Sequence, residues 1–329
     1  MRCFWDERQR LHMPEGEFFN GALHPPSETQ GRTDAILEAL GKTEVPSDAG
    51  MDAILRVHEA GYVEFLRTAH RDWLSAGRTG DAFPYTFPLV ARRTRHWNRI
   101  DATFGNYCFD TSTPIGPGTW EAAYWSVQTA IASVDAALAG ERCAFGLCRP
   151  PGHHAGRDYC GGYSYLNTAA IAAEWALAAG IAKVAVLDVD YHHGNGTQDI
   201  FAGREDVLFA SVHADPLTDY PFYWGHADES RENVMNIPLP RETTWEGYAP
   251  ALDKAVEWLR RGSPQLLIVS YGADTHEADP ISHFKLKTSD YLSMARRIAS
   301  IGLPTIVLME GGYAVEALGA NVAAFLSGF

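Results

Sequence analysis

Short apolar runs alternate with amphipathic stretches along the C-terminal two thirds of the chain. The apolar runs are nearly continuous, which is typical of strands buried on both faces. They lie at 143–148, 183–189, 207–212, 266–271 and 304–309. The stretches before, between and after them predict helices at 118–140, 167–180, 243–262 and 289–302, and a last helix before residue 329. Strands that alternate with helices predict an α/β fold with a mostly parallel central sheet and helices on both faces.

One helix start carries a specific sequence signal. Thr243 and Glu246 match a capping box, in which a threonine and an acid three residues later bond each other's backbone N–H groups. The helix at 243–262 is therefore expected to begin at this pair.

The segment 80–117 has a different character. It contains prolines, aromatic residues and a basic patch at Arg92, Arg93, Arg95 and His96, but little periodicity. A segment of this length without regular structure is usually functional or unstructured. We therefore expect a single domain spanning 1–329 that carries an insertion at 80–117.

The charge balance narrows the classes of function. The 329 residues include 27 Lys and Arg against 41 Asp and Glu, a formal net charge of −14. A protein that binds nucleic acid normally presents a basic face to the phosphates, so this balance argues against such a role. It is typical of an enzyme, and a negative surface attracts cations.

The expected compartment is the cytoplasm. The N-terminal residues lack the apolar core of a secretion signal, and no apolar run approaches the length of a membrane span. The five cysteines have irregular spacing and no CxxC pair, which argues against a disulfide framework.

Polar clusters directly follow four of the predicted strands. They lie at 149–156, 188–196, 272–275 and 310–313 and carry His, Asp, Glu and Tyr side chains. In open α/β sheets, ligands bind beyond the carboxyl ends of the strands. The sequence therefore predicts that the four clusters converge on one active site at that edge of the sheet.

Two of these clusters contain a candidate metal site. Asp188, Asp190 and His192 share one face of an extended chain, where they would be poorly solvated without a cation. With Asp274 from another strand end, Asp190 and His192 offer three nitrogen and oxygen ligands and leave room for water, as in catalytic zinc sites. The absence of cysteine ligands also allows Fe(II), Co(II) or Mn(II). The alternative is that these acids are only helix caps and turn formers.

The remaining polar side chains suggest acid–base chemistry. His153 or His154 could take a proton from water and return it to a leaving amine, with Asp188 and Asn195 as acceptors that orient the rings. Tyr313 follows two glycines and could donate a hydrogen bond to a developing oxyanion. The alternatives are hydrogen-bonded core histidines and a core tyrosine.

These motifs together resemble the histone deacetylase superfamily, which has an arginase-like fold. The matching segments are PPGHHAG (150–156), GGYSYLN (161–167), LDVDYHHGNGTQDIF (187–201), SVH (211–213), GADT (272–275), DP (279–280) and EGGY (310–313). Within the superfamily, the chain is most similar to the bacterial acetylpolyamine amidohydrolases. That similarity depends on HPPSETQGR (24–32), the insertion at 80–117, DPISHFKL (279–286) and the overall length.

The resemblance implies a role for each matching residue. By resemblance, the zinc ligands are Asp190, His192 and Asp274. His154 matches the general base that later acts as the acid, and His153, oriented by Asp188, matches its electrostatic neighbour. Tyr313 matches the residue that polarises the carbonyl, and Gly162 and Tyr163, faced by Tyr220, match the walls of the substrate tunnel. It also implies a buried potassium ion near the zinc. Its ligands would be backbone oxygens of Asp190 and His192, together with Asp188, Ser211 and Val212.

Two departures qualify the resemblance. Many histone deacetylases have Asp where this chain has Asn195, so His154 would bond a neutral amide and be less basic. The arginases of the same fold bind two manganese ions through a different order of His and Asp, which the DVDYHH segment does not match. One catalytic metal is therefore expected.

The resemblance implies a zinc-dependent amidohydrolase that removes acetyl groups from acetylated polyamines and releases acetate and free amine. It also implies a homodimer, with Asp101 of the insertion as a rim contact for a cationic substrate. One alternative is a histone deacetylase-like deacylase of acetyl-lysine in proteins. A second is a non-catalytic module that binds acyl-lysine or metal, although Tyr313 is retained and basic tails for chromatin are absent.

Overall fold

The fold is taken from a computed structural model that describes residues 1–88 and 97–329. The strands are β1 (Arg2–Phe4), β2 (Glu17–Phe19), β3 (Ala22–His24), β4 (Cys143–Gly146), β5 (Val184–Asp188), β6 (Val207–Ala214), β7 (Val234–Leu239), β8 (Leu266–Tyr271) and β9 (Thr305–Met309). The helices are α1 (Gln30–Leu40), α2 (Asp52–Val57), α3 (Ala60–Ser75), α4 (Ile100–Phe104), α5 (Thr119–Leu138), α6 (Thr168–Ala178), α7 (Asn195–Phe201), α8 (Trp245–Arg261), α9 (Thr288–Ala299) and α10 (Val315–Leu326). Two short 3₁₀ helices lie at Glu7–Leu11 and Ala227–Glu229.

Seven of the strands form one sheet in the order β1-β4-β9-β8-β5-β6-β7. Every pairing in this sheet is parallel, which confirms the predicted α/β architecture. The five strands predicted from apolar runs are all present. β1 and β7 were not predicted, since β1 has only three residues and β7 contains Asn236 and Pro238, which interrupt its apolar pattern.

The sheet separates two hydrophobic cores because successive side chains of a strand point to opposite faces. In β5, Val184 and Val186 belong to the core that α2, α3, α5 and α6 cover. Ala185 and Leu187 belong to the core beneath α8, α9 and α10. This double coverage explains why the central strands are mostly apolar, with polar residues concentrated towards and beyond their carboxyl ends.

The predicted capping box at Thr243 and Glu246 is wrong, although the helix itself is present. α8 begins at Trp245, and the Thr243 hydroxyl donates to the Pro240 carbonyl at 2.6 Å. The Thr244 hydroxyl donates to the Glu246 carboxylate at 2.6 Å. A capping box needs the threonine oxygen to accept from a backbone N–H of the first turn, and the N-cap residue Thr244 makes no such bond.

The N-terminal region contains regular structure that the sequence analysis did not predict. β2 and β3 form an antiparallel hairpin whose turn residues Asn20 and Gly21 have φ of +50° and +80°. An Asn-Gly pair between short apolar runs is a known hairpin signal, so this element could have been found. Helices α1 to α3 follow it.

The two ends of the segment 80–117 bond to each other. Ala82 and Ile115 exchange two backbone hydrogen bonds of 2.9 and 3.1 Å, and α4 lies between them. The basic patch at Arg92, Arg93, Arg95 and His96 lies outside the described residues. Among the described residues, none of the helices has the length and apolar character needed to span a membrane.

Candidate active site

Three acidic and imidazole side chains meet where β5 and β8 end side by side in the sheet. Asp190 and His192 follow β5, and Asp274 follows β8. One potential ligand atom from each residue lies within 4.8 Å of the others. We call these three residues the ligand cluster. The sequence predicts this set from its motifs.

Backbone N–H groups orient both carboxylates of the ligand cluster. Asp190 accepts from the N–H groups of Gly311 and His192, each at 2.8 Å, and Asp274 accepts from the N–H of Tyr191 at 2.9 Å. Oδ2 of Asp274 lies at hydrogen-bond distance, 3.0 Å, from Nδ1 of His192. The ligand atoms are thus held by backbone positions at the strand ends.

Two glycines leave room for these carboxylates. A Cβ on Gly272 would lie 2.0 Å from Asp190 Oδ2, and one on Gly311 would lie 2.6 Å from oxygens of both Asp190 and Asp274. Burial, followed by the nearby charge of Asp190, raises the pKa of Asp274 to about 7. Two buried carboxylates beside an imidazole, with no side chain able to fill the space, fit a divalent cation.

His153 and His154 lie beside the ligand cluster with their rings 4.0 Å apart. Nδ1 of His153 lies 2.9 Å from the Asp188 carboxylate, and Nδ1 of His154 lies 2.6 Å from the Asn195 side-chain oxygen. Each Nδ1–H has an acceptor, and for a neutral ring such an acceptor selects the tautomer whose Nε2 is unprotonated. These are the acceptors that the sequence analysis selected.

The two rings differ in electrostatic surroundings. Burial disfavours a charged His153, but Asp188 and Asp190 outweigh it and raise the pKa of His153 to about 10. Burial, followed by the neighbouring His153 and His192, holds the pKa of His154 well below its usual value. The pair therefore combines a cationic ring with a neutral ring that can accept a proton.

Tyr313 faces the same space from the end of β9. Its backbone N–H donates to Asp279 at 2.7 Å, and Gly312 before it has φ of +124°. The Arg32 guanidinium lies 4.8 Å from the tyrosine ring centroid and donates to the carbonyl of Gly312 at 2.7 Å. The sequence analysis gave no role to Arg32 or Asp279, although both lie in segments that carried the resemblance.

A cavity of about 290 Å³ leads to these groups. Its lining residues are Glu17, Phe19, Asn20, Ser112, Pro151, His153, His154, Gly162, Tyr163, His192, Tyr220, Phe222, Ile281 and Tyr313. We call Gly162 and Tyr163 the first wall and Tyr220 the second wall. All three were predicted to line a substrate tunnel.

Glu17 of the hairpin is a lining residue that the sequence analysis missed. One of its carboxylate oxygens accepts from the N–H and hydroxyl of Ser27 at 3.1 and 2.8 Å. Its other oxygen is buried without a hydrogen-bond partner among the described residues. Of the Asp and Glu residues that the structure describes, Glu17 is the one that lines the cavity. Asp190 and Asp274 are not among the lining residues.

The structure does not support the expected substrate contact of Asp101. Its side chain is only 2% exposed, and it is not among the residues that line the cavity. Its carboxylate pairs with the guanidinium groups of Arg78 and Arg99 at 2.6 and 2.7 Å. Two arginines already neutralise this acid, so little attraction is left for a substrate cation.

The residues proposed to hold potassium lie beside one another on neighbouring strands. Asp188 at the end of β5 is in register with Ser211 of β6, and Val212 follows Ser211. The Ser211 hydroxyl lies 2.8 Å from Nδ1 of His213. Asp188 also accepts from the backbone N–H of Asp190 at 3.1 Å.

Comparisons with known proteins agree with the geometry. The family model of the histone deacetylase domain matches residues 24–329. The chain is 45% identical to acetylpolyamine amidohydrolase 1 of Pseudomonas aeruginosa, over 100% of this chain and 99% of that protein. It is 44% identical to the acetylpolyamine amidohydrolase of Mycoplana ramosa, over 100% of this chain and 99% of that protein. The crystal structure of the acetylpolyamine aminohydrolase from Burkholderia pseudomallei superposes with a TM-score of 0.95 at 38% identity, over 100% of this chain and 98% of that one.

Proposed function

The chain belongs to the histone deacetylase family, and from this membership we propose that it is an amidohydrolase that removes acetyl groups from acetylated polyamines. The products are acetate and the free amine. The observation that carries the proposal is a cavity that leads past His154 and Tyr313 to the ligand cluster. The full-length similarity to named acetylpolyamine amidohydrolases supports the choice of substrate class.

The ligand cluster is proposed to hold zinc, with Fe(II), Co(II) or Mn(II) as possible replacements. A divalent ion bound there would supply Lewis acidity that polarises the acetyl carbonyl and makes water a better nucleophile. The buried carboxylates, the imidazole and the two glycines support this assignment. We also propose a structural potassium ion at Asp188, Ser211 and Val212.

His154 is proposed to move the protons of the reaction. Its neutral ring takes a proton from the attacking water and then gives that proton to the leaving amine. Asn195 holds the ring with Nε2 free for this transfer. His153 stays cationic beside Asp188 and stabilises negative charge that develops in the transition state.

Tyr313 is proposed to donate its phenol proton in a hydrogen bond to the acetyl oxygen. Burial raises the pKa of this phenol well above its usual value, so it remains protonated. The bond strengthens as negative charge develops on that oxygen, which lowers the barrier more than it tightens substrate binding. Arg32 and Asp279 fix the segment that presents the tyrosine.

The walls and Glu17 are proposed to select the substrate. Tyr163, Tyr220, Phe19 and Phe222 suit the methylene chain of a slender amine, and Glu17 suits an ammonium group on that chain. The net charge of −14 would attract polycations over a longer range.

The single catalytic domain 1–329, the homodimer and the reducing cytoplasm remain parts of the proposal. The described residues of the insertion expose large aromatic side chains, which supports an interface between two copies. These side chains are Tyr85, Phe87 and Trp97. Light scattering of the purified protein measures the mass and tests the dimer.

The five cysteines are free thiols, as expected in a reducing compartment.

Steady-state kinetics on acetylspermidine, acetylputrescine and an acetyl-lysine peptide test the function. We expect higher kcat/KM for both acetylpolyamines than for the peptide. A preference for the peptide would instead support a protein acetyl-lysine deacylase. A metal-loaded protein that hydrolyses none of the three would support a non-catalytic binding module.

A further inference from the structure

The segment 109–113 lies between the two walls of the cavity and bonds to both. Oδ2 of Asp110 accepts from the backbone N–H of Gly162 at 2.7 Å and from the hydroxyl of Tyr220 at 2.9 Å. The ring of Phe109 stacks on that of Tyr220, with centroids 5.9 Å apart. Asp110 is not among the lining residues. One carboxylate oxygen thus joins the two walls without itself lining the cavity.

The first wall has a backbone conformation that needs support. Gly162 and Tyr163 both adopt left-handed conformations, with φ of +54° and +63°. This region is unfavourable for a tyrosine, so surrounding contacts must hold it there. Besides the Asp110 bond to Gly162, the Thr113 hydroxyl oxygen accepts from the N–H of Tyr163 at 3.0 Å.

The first wall also packs directly on the proposed proton carrier. A Cβ on Gly162 would lie 2.2 Å from Cδ2 of His154. The backbone of this wall therefore bounds the space next to the imidazole, and any shift of Gly162 changes the room beside His154.

The second wall bounds the same space from the other side. The Tyr220 ring centroid lies 5.1 Å from that of His154 and 6.0 Å from that of His192. Burial, followed by Asp110, raises the pKa of the Tyr220 phenol well above its usual value, so it remains a donor. The separation of Tyr220 from the first wall sets the width of the cavity at this depth.

We propose that Asp110 is a positioning residue that couples the two walls and thereby sets the width of the cavity for the substrate chain. The coupling is a property of the fold, and only its kinetic consequence rests on the proposed function. Loss of the carboxylate frees the Gly162 N–H and the Tyr220 hydroxyl together. Substrate binding then weakens, whereas the ligand cluster and Tyr313 keep their positions.

The variants Asp110→Ala, Asp110→Asn and Tyr220→Phe test this coupling. Alanine removes both wall bonds. Asparagine can keep its oxygen in place of Oδ2 and lose the bonds that Oδ1 accepts from the Ser112 N–H and the Cys108 thiol. Tyr220→Phe removes the bond of one wall alone. Tyr124→Phe is the matched control, because Tyr124 donates to the Asp48 carboxylate and neither residue lines the cavity.

The first measurement is hydrogen exchange of the peptide that covers residues 156–167, which requires no turnover. We expect Asp110→Ala to accelerate exchange in this peptide, and Asp110→Asn and Tyr124→Phe to leave it close to wild type. Unchanged exchange in Asp110→Ala would overturn the coupling, whether or not the protein hydrolyses acetylpolyamines.

The second measurement is the kinetics on acetylspermidine. We expect Asp110→Ala to raise KM about tenfold with kcat changed less than about twofold, and Asp110→Asn to restore most of the loss. The double variant Asp110→Ala/Tyr220→Phe should be no worse than Asp110→Ala, because its tyrosine bond is already absent. Independent effects that multiply, or a fall in kcat alone, would contradict the proposal.

Discussion

The ligand cluster and the cavity walls are both close to the substrate, but they are built in different ways. The ligand cluster lies at the ends of adjacent strands, and backbone N–H groups orient its carboxylates. The walls come from loops distant in sequence, which side-chain hydrogen bonds from Asp110 and Thr113 connect. Parallel strand ends have nearly invariant geometry, whereas loops depend on a few partners.

This contrast suggests that the strand ends carry the reaction and the loops determine which substrate binds. A reaction centre set by the sheet tolerates changes in the loops, and loops held by single side chains allow the cavity to be adapted to other substrates. Substitutions in the ligand cluster should therefore abolish turnover. Those in the walls and at Glu17 should mainly change substrate binding.

The largest effect is expected from the ligand cluster itself. Asp274→Asn keeps the size of the side chain but replaces one of the two carboxylate ligands by a neutral amide. Tight metal binding and activity should therefore be lost. Metal analysis and turnover of the purified variant measure this. Glu17→Gln, outside the ligand cluster, is the control and should retain about one metal ion per chain. If Asp274→Asn also bound metal tightly and turned over normally, the ligand assignment would be wrong.

Tyr313→Phe should have the next largest effect. It removes one hydrogen-bond donor, and such a loss typically lowers turnover about a hundred- to a thousandfold, or by ~3 kcal/mol. KM should change far less, because the bond strengthens mainly in the transition state. Steady-state kinetics and metal analysis of the same preparation separate this role from metal loss. Wild-type turnover would refute it.

Acidification should destabilise the fold at the start of α6, where Asn167 is the N-cap residue. Nε2 of His58 accepts from the N–H of Asn167 at 2.9 Å, and burial lowers the pKa of His58 to about 4. The ring is neutral when folded but binds a proton near pH 6.5 when unfolded, so stability falls as pH decreases from about 6.5 to 4. The loss by pH 4 is about 3 kcal/mol for this ring.

Denaturant unfolding of metal-free protein between pH 7 and 4 measures this loss without a contribution from metal release. His58→Gln removes the titrating group, so the variant should show a shallower pH dependence than the wild type. The buried His12 and His213, whose pKa values are also about 4, titrate in the same direction in both proteins. Identical pH dependence of the two proteins would contradict the role of His58.

Glu17→Gln should have the smallest effect. It removes the charge of the cavity-lining acid and should raise KM for acetylspermidine several-fold. A neutral acetamide of similar length is the matched substrate, and its KM should not change. Equal losses on the charged and neutral substrates would mean that Glu17 shapes the cavity instead of attracting the ammonium group.

The sequence predicted the reaction centre better than the cavity around it. Asp190, His192 and Asp274 were found because they lie in the polar clusters that follow two apolar strands, and the structure brings them together. Asp101 was selected from the resemblance, because it lies near the position of an acidic rim residue in the polyamine enzymes, and the structure pairs it with two arginines. Glu17 was missed because the short hairpin that carries it was not predicted.

By itself, the sequence determined the parallel sheet and the polar clusters at its edge, because the apolar runs and the polar residues that follow them are local patterns of the chain. Only the tertiary structure decided which acid became a wall partner. Asp110 and Tyr220 are 110 residues apart, and their hydrogen bond depends on how separate loops pack. Asp101 lies in the first turn of α4 and Asp110 in the loop that follows it. No local pattern predicts that Arg78 reaches the one and Tyr220 the other, because both contacts form only when the chain folds.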